Sequence, residues 1–332
     1  MNIIPTIFNH ALPSYTVVGG IQKAGSTGLS AILLNRGGRY PRRTLFQELE
    51  KSGFDYIVSI EGLEERYDVE DLSSRFPSVK FILLKQALSI GEQINLAVSE
   101  IPSPLFFVLW NDIRILHGGG AAKIAERMLR DEHDLFSAEH NQSAYKRLCT
   151  VPVIQNSQFE TLPTCMSPAF YKKSLKTVPS STSKEGGISL YPFDGVGIYD
   201  RERFIQLGGF DPTLSAPHWQ LMDFGFRSWL WGETIASTQL VRMSYDGDIP
   251  SEDSTAEESY KRFYLKNIAP VFRGDLAHIP LRRYLSYVRK SGDGVFEAWE
   301  DFSAAREWVE INQYRFKSDA QTLIEHWEKP AL

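Results

Sequence analysis

The chain has 332 residues, of which 42% are hydrophobic and 23% are charged, and its formal net charge is −5. This composition provides ample apolar material for a core and lacks the basic stripe that general affinity for nucleic acid requires. The two cysteines are too few for a disulfide framework and have no close-spaced partners of a zinc site. No signal-peptide pattern opens the sequence, and no apolar run has the length of a bilayer span. We therefore expect a cytoplasmic protein whose contact with a membrane, if any, is with the inner face.

Strand and helix signals alternate along the first third of the chain. The predicted strands are rich in Ile, Leu and Val and cover 29–35, 54–62, 78–85 and 105–113. The predicted helices lie between them and cover 41–53, 69–76 and 90–101. Alternation at this spacing predicts an α/β fold with a largely parallel sheet covered by helices.

Two acids lie at the carboxyl ends of predicted strands, namely Glu61 and Asp112. In parallel sheets ligands bind beyond the carboxyl ends of the strands, so both acids are predicted to lie at one edge of the sheet. Asp112 closely follows the strongly apolar run "LFFVLW", and a carboxylate in such a position needs a partner. Binding of a divalent cation is the best explanation that these residue types offer.

Beyond residue 120 the signals are less regular. The elements predicted there are a helix, a loop-like stretch, a strand–turn–helix–turn unit and three further helices, covering 121–132, 180–187, 188–214, 218–233, 258–272 and 297–316. The last of these helices is strongly amphipathic. The final part of the chain is therefore predicted to be a helical extension.

The order of these segments resembles the glycosyltransferases of the GT-A fold, close to family 2, over roughly residues 29–250. The most specific part is "GGFD" at 208–211, which follows a predicted strand and helix as it does in the acceptor region of that family. A helix that carries Gly91 and Asn95, and the apolar strand that follows it into "WND", are similar to the family's approach to its Asp-x-Asp motif.

The resemblance implies an α/β fold with a mostly parallel sheet flanked by helices. It also implies transfer of a sugar from a nucleotide-sugar donor to a glycan or lipid-linked acceptor. The implied organisation is an N-terminal extension, a nucleotide-sugar-binding half, an acceptor-binding half of the same domain and a helical C-terminal region, over 1–28, 29–120, 121–250 and 251–332. A divalent cation, Mn²⁺ or Mg²⁺, is implied at Asp112, where it would disperse the charge of the leaving diphosphate.

Other site residues follow from the same resemblance and from their places at strand ends. The predicted nucleotide-binding residues are Asn35, Arg36, Glu61 and Asn111. His218 and Trp219 are candidates for acceptor binding because aromatic faces suit the apolar side of a sugar ring. Tryptophans at helical spacing are nevertheless more often core residues.

The sequence departs from the family at both of its acidic motifs. Trp110 stands where the first acid of Asp-x-Asp often lies. The acceptor-side Glu-Asp pair would fall on Gln220 and Leu221, neither of which can accept a proton from an attacking hydroxyl. The remaining candidates for the catalytic base are Asp223, Asp194 and Asp211.

Two alternatives stay open at this point. Residues 20–27 contain Lys23 within a glycine-rich turn that resembles the phosphosulfate-binding loop of sulfotransferases, where backbone amides hold a phosphate at a helix N-terminus. The arginine-containing motif for the second phosphate has no counterpart, so this interpretation ranks second. The altered acidic motifs are also compatible with a GT-A-like domain that binds a nucleotide or glycan without transferring anything.

Overall fold

The structure is a computed structural model. It describes residues 13–21, 27–36, 42–63, 68–116, 119–137, 146–171, 174–181 and 185–327. Within these residues, nine strands form one sheet in the order β1-β4-β3-β2-β5-β10-β7-β11-β6, counted along the chain.

The first half follows the predicted alternation of strand and helix. Its elements are β1 (Tyr15–Gly19), β2 (Leu29–Leu34), α1 (Arg42–Lys51), β3 (Tyr56–Glu61), α2 (Val69–Arg75), β4 (Val79–Leu84), α3 (Ile90–Ser99) and β5 (Leu105–Trp110). A helix joins each consecutive pair of β2, β3, β4 and β5, and neighbouring strands in this group are parallel. Their carboxyl ends therefore meet at one edge. β1, inside the predicted extension 1–28, was not predicted as a strand and pairs antiparallel with β4.

The second half extends the same sheet with mixed strand directions. Its elements are β6 (Ile113–Ile115), α4 (Gly120–Ser137), β7 (Lys146–Gln155), β8 (Cys165–Tyr171), β9 (Ser174–Ser180), β10 (Gly197–Asp200), α5 (Arg201–Leu207), α6 (Pro217–Leu230) and β11 (Glu233–Tyr245). β10 is antiparallel to β5, so its amino end lies beside the carboxyl end of β5. β11 ends beside Ile113, which follows Asp112 directly. The turn before β10 and the end of β11 thus reach the edge where β2 and β5 end.

Helices dominate the C-terminal region, as predicted. Its elements are α7 (Glu258–Phe263), β12 (Val271–Arg273), β13 (Leu276–His278), α8 (Arg282–Ser291), α9 (Val295–Asn312) and α10 (Ala320–Glu325). The helix predicted over 258–272 is shorter, because a π-helical turn follows α7 and a strand then begins. α9 buries Ala298, Phe302, Ala305 and Val309, the spacing of one helix face. In the described part of the chain, no helix combines the length and apolarity needed to cross a bilayer.

The two motifs that carry the resemblance contact each other across more than a hundred residues. Asn95 on α3 donates a hydrogen bond to the carbonyl of Phe210 at 2.7 Å and accepts one from its N–H at 3.0 Å. A Cβ on Gly91 would come within 2.4 Å of Phe210 Cβ, so only glycine allows this approach. α3 therefore holds the Gly-Gly-Phe-Asp turn in place beside the sheet. The prediction of an α/β sheet flanked by helices is confirmed.

Candidate functional site

Arg36 lies where two parallel strands end. Leu34, the last residue of β2, pairs in register with Trp110, the last residue of β5. The Asn111 side chain accepts a hydrogen bond from the Arg36 N–H and donates one to the Arg36 carbonyl, each at 3.2 Å. Asn111, a predicted nucleotide-binding residue, therefore uses its amide to fix the backbone of Arg36.

The Arg36 guanidinium pairs with two carboxylates. Its Nε lies 3.3 Å from Asp112 Oδ2, and its Nη2 donates a short hydrogen bond to Asp194 Oδ2. Its central carbon lies 3.9 Å from the centroid of the Trp110 ring, a cation–π contact. Trp110 therefore supports this cation.

Asp194 reaches this place on an unusual turn. It lies in the 3₁₀ turn Phe193–Gly195 before β10 with a φ of 56°, a left-handed conformation that is costly for a residue other than glycine. The Trp110 Nε1 donates to its carbonyl at 2.9 Å, and the Tyr245 hydroxyl donates to Oδ2 at 2.9 Å. Burial raises the pKa of Asp194 to about 6, although the charge of Arg36 opposes that shift.

Asp112, the predicted metal ligand, is also buried. Burial raises the pKa of its carboxyl, with Arg36 acting against the shift. Its Oδ1 has no hydrogen-bond partner among the described residues. One orphaned oxygen is fewer than the ligand set of a resident cation. No three His, Cys, Asp or Glu side chains cluster around a common point in the described part of the chain. These residues therefore do not fit a resident metal ion.

A pocket of about 430 Å³ opens beside the Arg36 group, meaning Arg36, Asp112 and Asp194. Its lining combines residues from both halves of the sheet with others from the loop between β11 and α7. They include Arg36, Trp110, Asp194, His218, Leu221 and Glu252. Among the predicted site residues, the structure thus brings Arg36, Asp194 and His218 to one cavity.

The two predicted acceptor-binding residues have different surroundings. His218 lines the pocket, and its Nδ1 lies 3.7 Å from Glu252 Oε2. Trp219 is buried, with ring centroids 4.7 Å from Tyr260 and 5.4 Å from Phe263, and its Nε1 donates to the carbonyl of Thr255 at 2.8 Å. Trp219 is therefore a core residue here and does not line the pocket.

Asp211 and Asp223, two of the three predicted catalytic acids, lie in a buried ion cluster together with Arg227 and Lys266. Lys266 Nζ donates to Asp211 at 2.6 Å and to Asp223 at 3.0 Å, and Arg227 donates to Asp223 at 2.8 Å. Burial by itself would raise the pKa of both carboxyls. The charge of Lys266, with Arg262 beside Asp211 and Arg227 beside Asp223, instead holds both pKa values below their ordinary range. A fully buried, paired carboxylate cannot reach an acceptor hydroxyl, so neither acid suits the role of base.

Gln220 and Leu221, the predicted counterparts of the Glu-Asp pair, offer no base either. The Gln220 side chain accepts from the Gly91 N–H at 2.8 Å and donates to Ser89 Oγ at 3.0 Å. Leu221 lines the pocket but carries no polar atom on its side chain. These two positions hold one structural amide and one apolar wall residue.

Glu61 and Asn35 form a separate polar group at the same edge. Glu61 is fully buried, with Arg42 donating to its Oε1 at 2.5 Å and Ser59 at 2.7 Å. Burial raises its pKa, with Arg42 opposing the shift. Asn35 donates to the carbonyl of Ile60 at 2.6 Å. Neither residue lines the pocket beside Arg36, so their predicted contact with a nucleotide remains a prediction.

The phosphosulfate-loop interpretation depends mostly on Lys23 and its neighbours. Residues 22–26 lie outside the described residues. The flanking structure does not favour it. The N–H groups of Thr27 and Gly28 both donate to the Asp55 carboxylate, at 3.0 and 2.9 Å. The strand β2 follows directly, whereas a phosphate loop of this kind leads into a helix.

Two residues of the site escaped the sequence analysis as functional candidates. Tyr245 bonds to Asp194, and Glu252 lines the pocket. Glu252 lies in the irregular stretch "PSEDS", which has no periodicity to mark it. The pairing of β11 beside Ile113 and the hydrogen bond from Tyr191 to Glu252 hold this loop at the pocket.

No protein-family model and no curated protein sequence matches this chain. Solved structures resemble it more distantly. GalNAc-T7 with UDP, GalNAc and Mn²⁺ matches with a TM-score of 0.49 at 14% identity over 86% of this chain. TarS of S. aureus matches with 0.48 at 10% identity over 92%, and TarS 1–349 with 0.42 at 11% identity over 91% of this chain and 91% of that one. The chain spans about half of the first two structures, 57% and 46%. Similarity at this level carries no argument about activity.

Proposed function

We propose that this protein is a glycosyltransferase that moves a sugar from a nucleotide-sugar donor to a hydroxyl of a glycan or lipid-linked acceptor. The observation that supports this is the shared pocket: Arg36 and Trp110 from the predicted donor half line it together with His218 from the predicted acceptor half. A reaction between two substrates needs such a shared space. Its volume of about 430 Å³ suits a small-molecule site.

Arg36 is the residue that we assign to the donor diphosphate. A guanidinium offers several N–H donors in a planar fork that matches phosphate oxygens, and it stays charged at any working pH. Asp112, Asp194 and the Trp110 ring hold it in place. As the bond to the sugar breaks, negative charge on the diphosphate would develop beside this fixed cation.

The proposal includes no metal-dependent step, because the carboxylates of Asp112 and Asp194 already pair with Arg36. Asp194, the predicted catalytic acid that lines the pocket, is assigned the positioning of the Arg36 side chain. The roles of Asn35 and Glu61 toward the nucleoside, a cytoplasmic location and contact with a membrane surface all stay predictions.

A binding domain without transferase activity is the second candidate. It is favoured by Gln220, whose amide holds α3 against α6 where the family carries an acid. On this interpretation the pocket would bind a nucleotide sugar or a glycan and release it unchanged.

Calorimetric titration with UDP-glucose, UDP-GlcNAc, UDP-GalNAc, GDP-mannose and dTDP-glucose tests the proposal, followed by an assay for released nucleoside diphosphate. We expect at least one donor to bind and to be turned over, slowly with water and faster with an added glycan acceptor. Binding without turnover under any acceptor would support the binding domain. No binding of any donor, with or without Mn²⁺, would contradict the transferase and would leave the binding domain only a glycan as its ligand.

A further inference from the structure

The proposed transfer requires a group that takes the proton of the acceptor hydroxyl, and the family's position for it is occupied by Gln220 and Leu221. The pocket offers other carboxylates, which are Asp194, Glu252, Asp253 and Glu257. A useful base must keep an oxygen free for the substrate while a neighbour fixes its orientation. These two requirements separate the four acids.

Two of the four have contacts that make them weaker candidates. Asp194 is bonded to Arg36 and Tyr245. Asp253 accepts hydrogen bonds from the N–H and the hydroxyl of Thr255, at 2.9 and 2.6 Å, both with Oδ1, and these bonds lower the pKa of its carboxyl, which weakens it as a base. Glu257 precedes α7 and makes no capping hydrogen bond with its side chain, so among the described residues it lacks the orienting contact that a base needs.

Glu252 meets both requirements. The hydroxyl of Tyr191 lies within hydrogen-bond distance of both oxygens, 2.8 Å from Oε2 and 3.0 Å from Oε1, and its single proton can be donated to only one of them at a time. Tyr191 is fully buried, and burial together with the charge of Glu252 raises its pKa, so it remains a donor. The Glu252 side chain keeps 24% of its surface exposed. It is therefore oriented from the protein side and accessible from the pocket.

His218 adds a second polar neighbour. Its Nδ1 lies 3.7 Å from Glu252 Oε2, which is too long for a hydrogen bond, and it has no hydrogen-bond partner among the described residues. The imidazole is buried and stacks edge-on against Tyr191 and Trp219. A buried nitrogen without a partner at the wall of a pocket is placed to bond a ligand hydroxyl.

We propose that Glu252 is the catalytic base of this protein and that His218 orients the acceptor hydroxyl beside it. This inference rests on the proposed glycosyltransferase function. The acceptor O–H bond breaks as its proton passes to the Glu252 carboxylate, and the oxygen forms a bond to the anomeric carbon of the donor. The bond from that carbon to the diphosphate breaks, the electron pair leaves with the diphosphate, and Arg36 balances its charge. Attack from the far side inverts the configuration.

The test compares Glu252→Gln with Glu258→Gln, the same substitution on a side chain that is 80% exposed and does not line this pocket. The donor is the one that wild type turns over best in the screen above. We expect Glu252→Gln to lower kcat on the order of 10²–10⁴-fold, with donor affinity in titration unchanged, and Glu258→Gln to match wild type. Glu252→Asp should recover part of the loss. It restores a carboxylate, but the shorter side chain leaves that carboxylate farther from the acceptor hydroxyl.

The dependence of kcat on pH is a second measurement. A substitution that only disturbed the structure would lower kcat without changing the shape of this dependence. In wild type we expect kcat to fall at low pH. In Glu252→Gln we expect the residual kcat to lack this fall. Full activity of Glu252→Gln in a protein whose wild type transfers sugar would overturn this inference and leave the proposed function standing. A wild type that binds no donor would overturn the proposed function, and the role of Glu252 with it.

Discussion

The buried ion cluster and the Arg36 group both join two carboxylates to a cationic side chain, yet they differ in how completely their polar atoms are paired. In the cluster, Lys266 bridges Asp211 and Asp223, and Arg227 satisfies the second oxygen of Asp223. In the Arg36 group, Asp112 Oδ1 and Arg36 Nε have no hydrogen-bond partner among the described residues, and the group borders a pocket.

This difference appears as pKa shifts of opposite sign. Positive neighbours outweigh burial at Asp211 and Asp223, so their pKa values fall, whereas burial outweighs Arg36 at Asp112 and Asp194, so theirs rise. Lowered pKa values mark carboxylates that stabilise the native state in their charged form. Raised ones mark carboxylates whose charge is poorly compensated, which is common at ligand sites. The cluster is therefore expected to govern stability, and the Arg36 group to govern binding.

The strongest test of this difference is to make the same change, Asp to Asn, once in the buried ion cluster and once in the Arg36 group. Asp223→Asn leaves Lys266 and Arg227 without a full counter-charge in the core, so we expect the free energy of unfolding to fall by about 3–5 kcal/mol. Asp194→Asn removes a carboxylate whose charged form is disfavoured, and its stability should stay within about 1 kcal/mol of wild type. Urea denaturation at pH 7 measures both. Equal losses would remove the distinction between the two groups.

Stability against pH separates the groups further. The lowered pKa values of Asp211 and Asp223 contribute stability that is fully present above the pKa of these groups in the unfolded chain and is lost as pH falls through the folded values. The raised pKa of Asp194 acts the other way, adding stability as pH falls from about 6 toward its ordinary value.

Ligand binding should depend on the other group. Arg36→Met removes the cation that we assign to the diphosphate, and hydrogen bonds to charged groups contribute about 1.5–3 kcal/mol, so we expect donor affinity to fall about 10–100-fold. Arg43→Met is the matched control, because Arg43 is exposed and pairs with Asp71 away from the pocket. Calorimetric titration measures both variants. Unchanged affinity in Arg36→Met would place the diphosphate elsewhere.

The contrast also shows what the sequence could reveal. Alternating strands and helices predicted β2 to β5 closely, and the strand-end rule placed Arg36 and Asp112 at one edge, because these features depend on local periodicity. The sequence could not show that Asp223 is a buried, paired carboxylate whereas Asp194 lines a pocket. The pairing of Asp223 depends on Lys266, which is 43 residues away along the chain. Glu252 was missed for the same reason, because its place at the pocket depends on distant contacts, namely the pairing of β11 with β6 and the hydrogen bond from Tyr191, 61 residues away.

The pH dependence of donor binding sharpens the role of Asp194. Its pKa near 6 means that lowering the pH from about 7.5 to about 5.5 protonates it, which removes a negative charge from beside Arg36. A nucleotide sugar does not titrate in this window, so we expect its affinity to rise several-fold as pH falls. In Asp194→Asn the dependence should flatten. A steeper dependence in the variant would contradict the assignment.

A smaller effect is expected at Trp110, which stacks on the guanidinium and bonds to the Asp194 carbonyl. Trp110→Phe keeps a ring but loses the Nε1 donor and weakens the cation–π contact, which together correspond to about 3–10-fold in donor affinity. Trp231→Phe is a suitable control, because its ring stacks on Trp308 outside the pocket lining. Unchanged donor affinity in Trp110→Phe would mean that the two carboxylates hold Arg36 without help from the Trp110 ring.

The smallest expected effect is that of chelation. Arg36 already pairs with the two carboxylates that a cation would need, and a metal ion would have to displace it. We therefore expect donor affinity in EDTA to stay within about threefold of that in Mn²⁺, a difference below about 1 kcal/mol. Titration of wild type and Asp112→Asn under both conditions measures this. A large gain from Mn²⁺ in wild type that Asp112→Asn abolishes would instead give Asp112 the ligand role predicted from the sequence, with its orphaned Oδ1 as the coordinating atom.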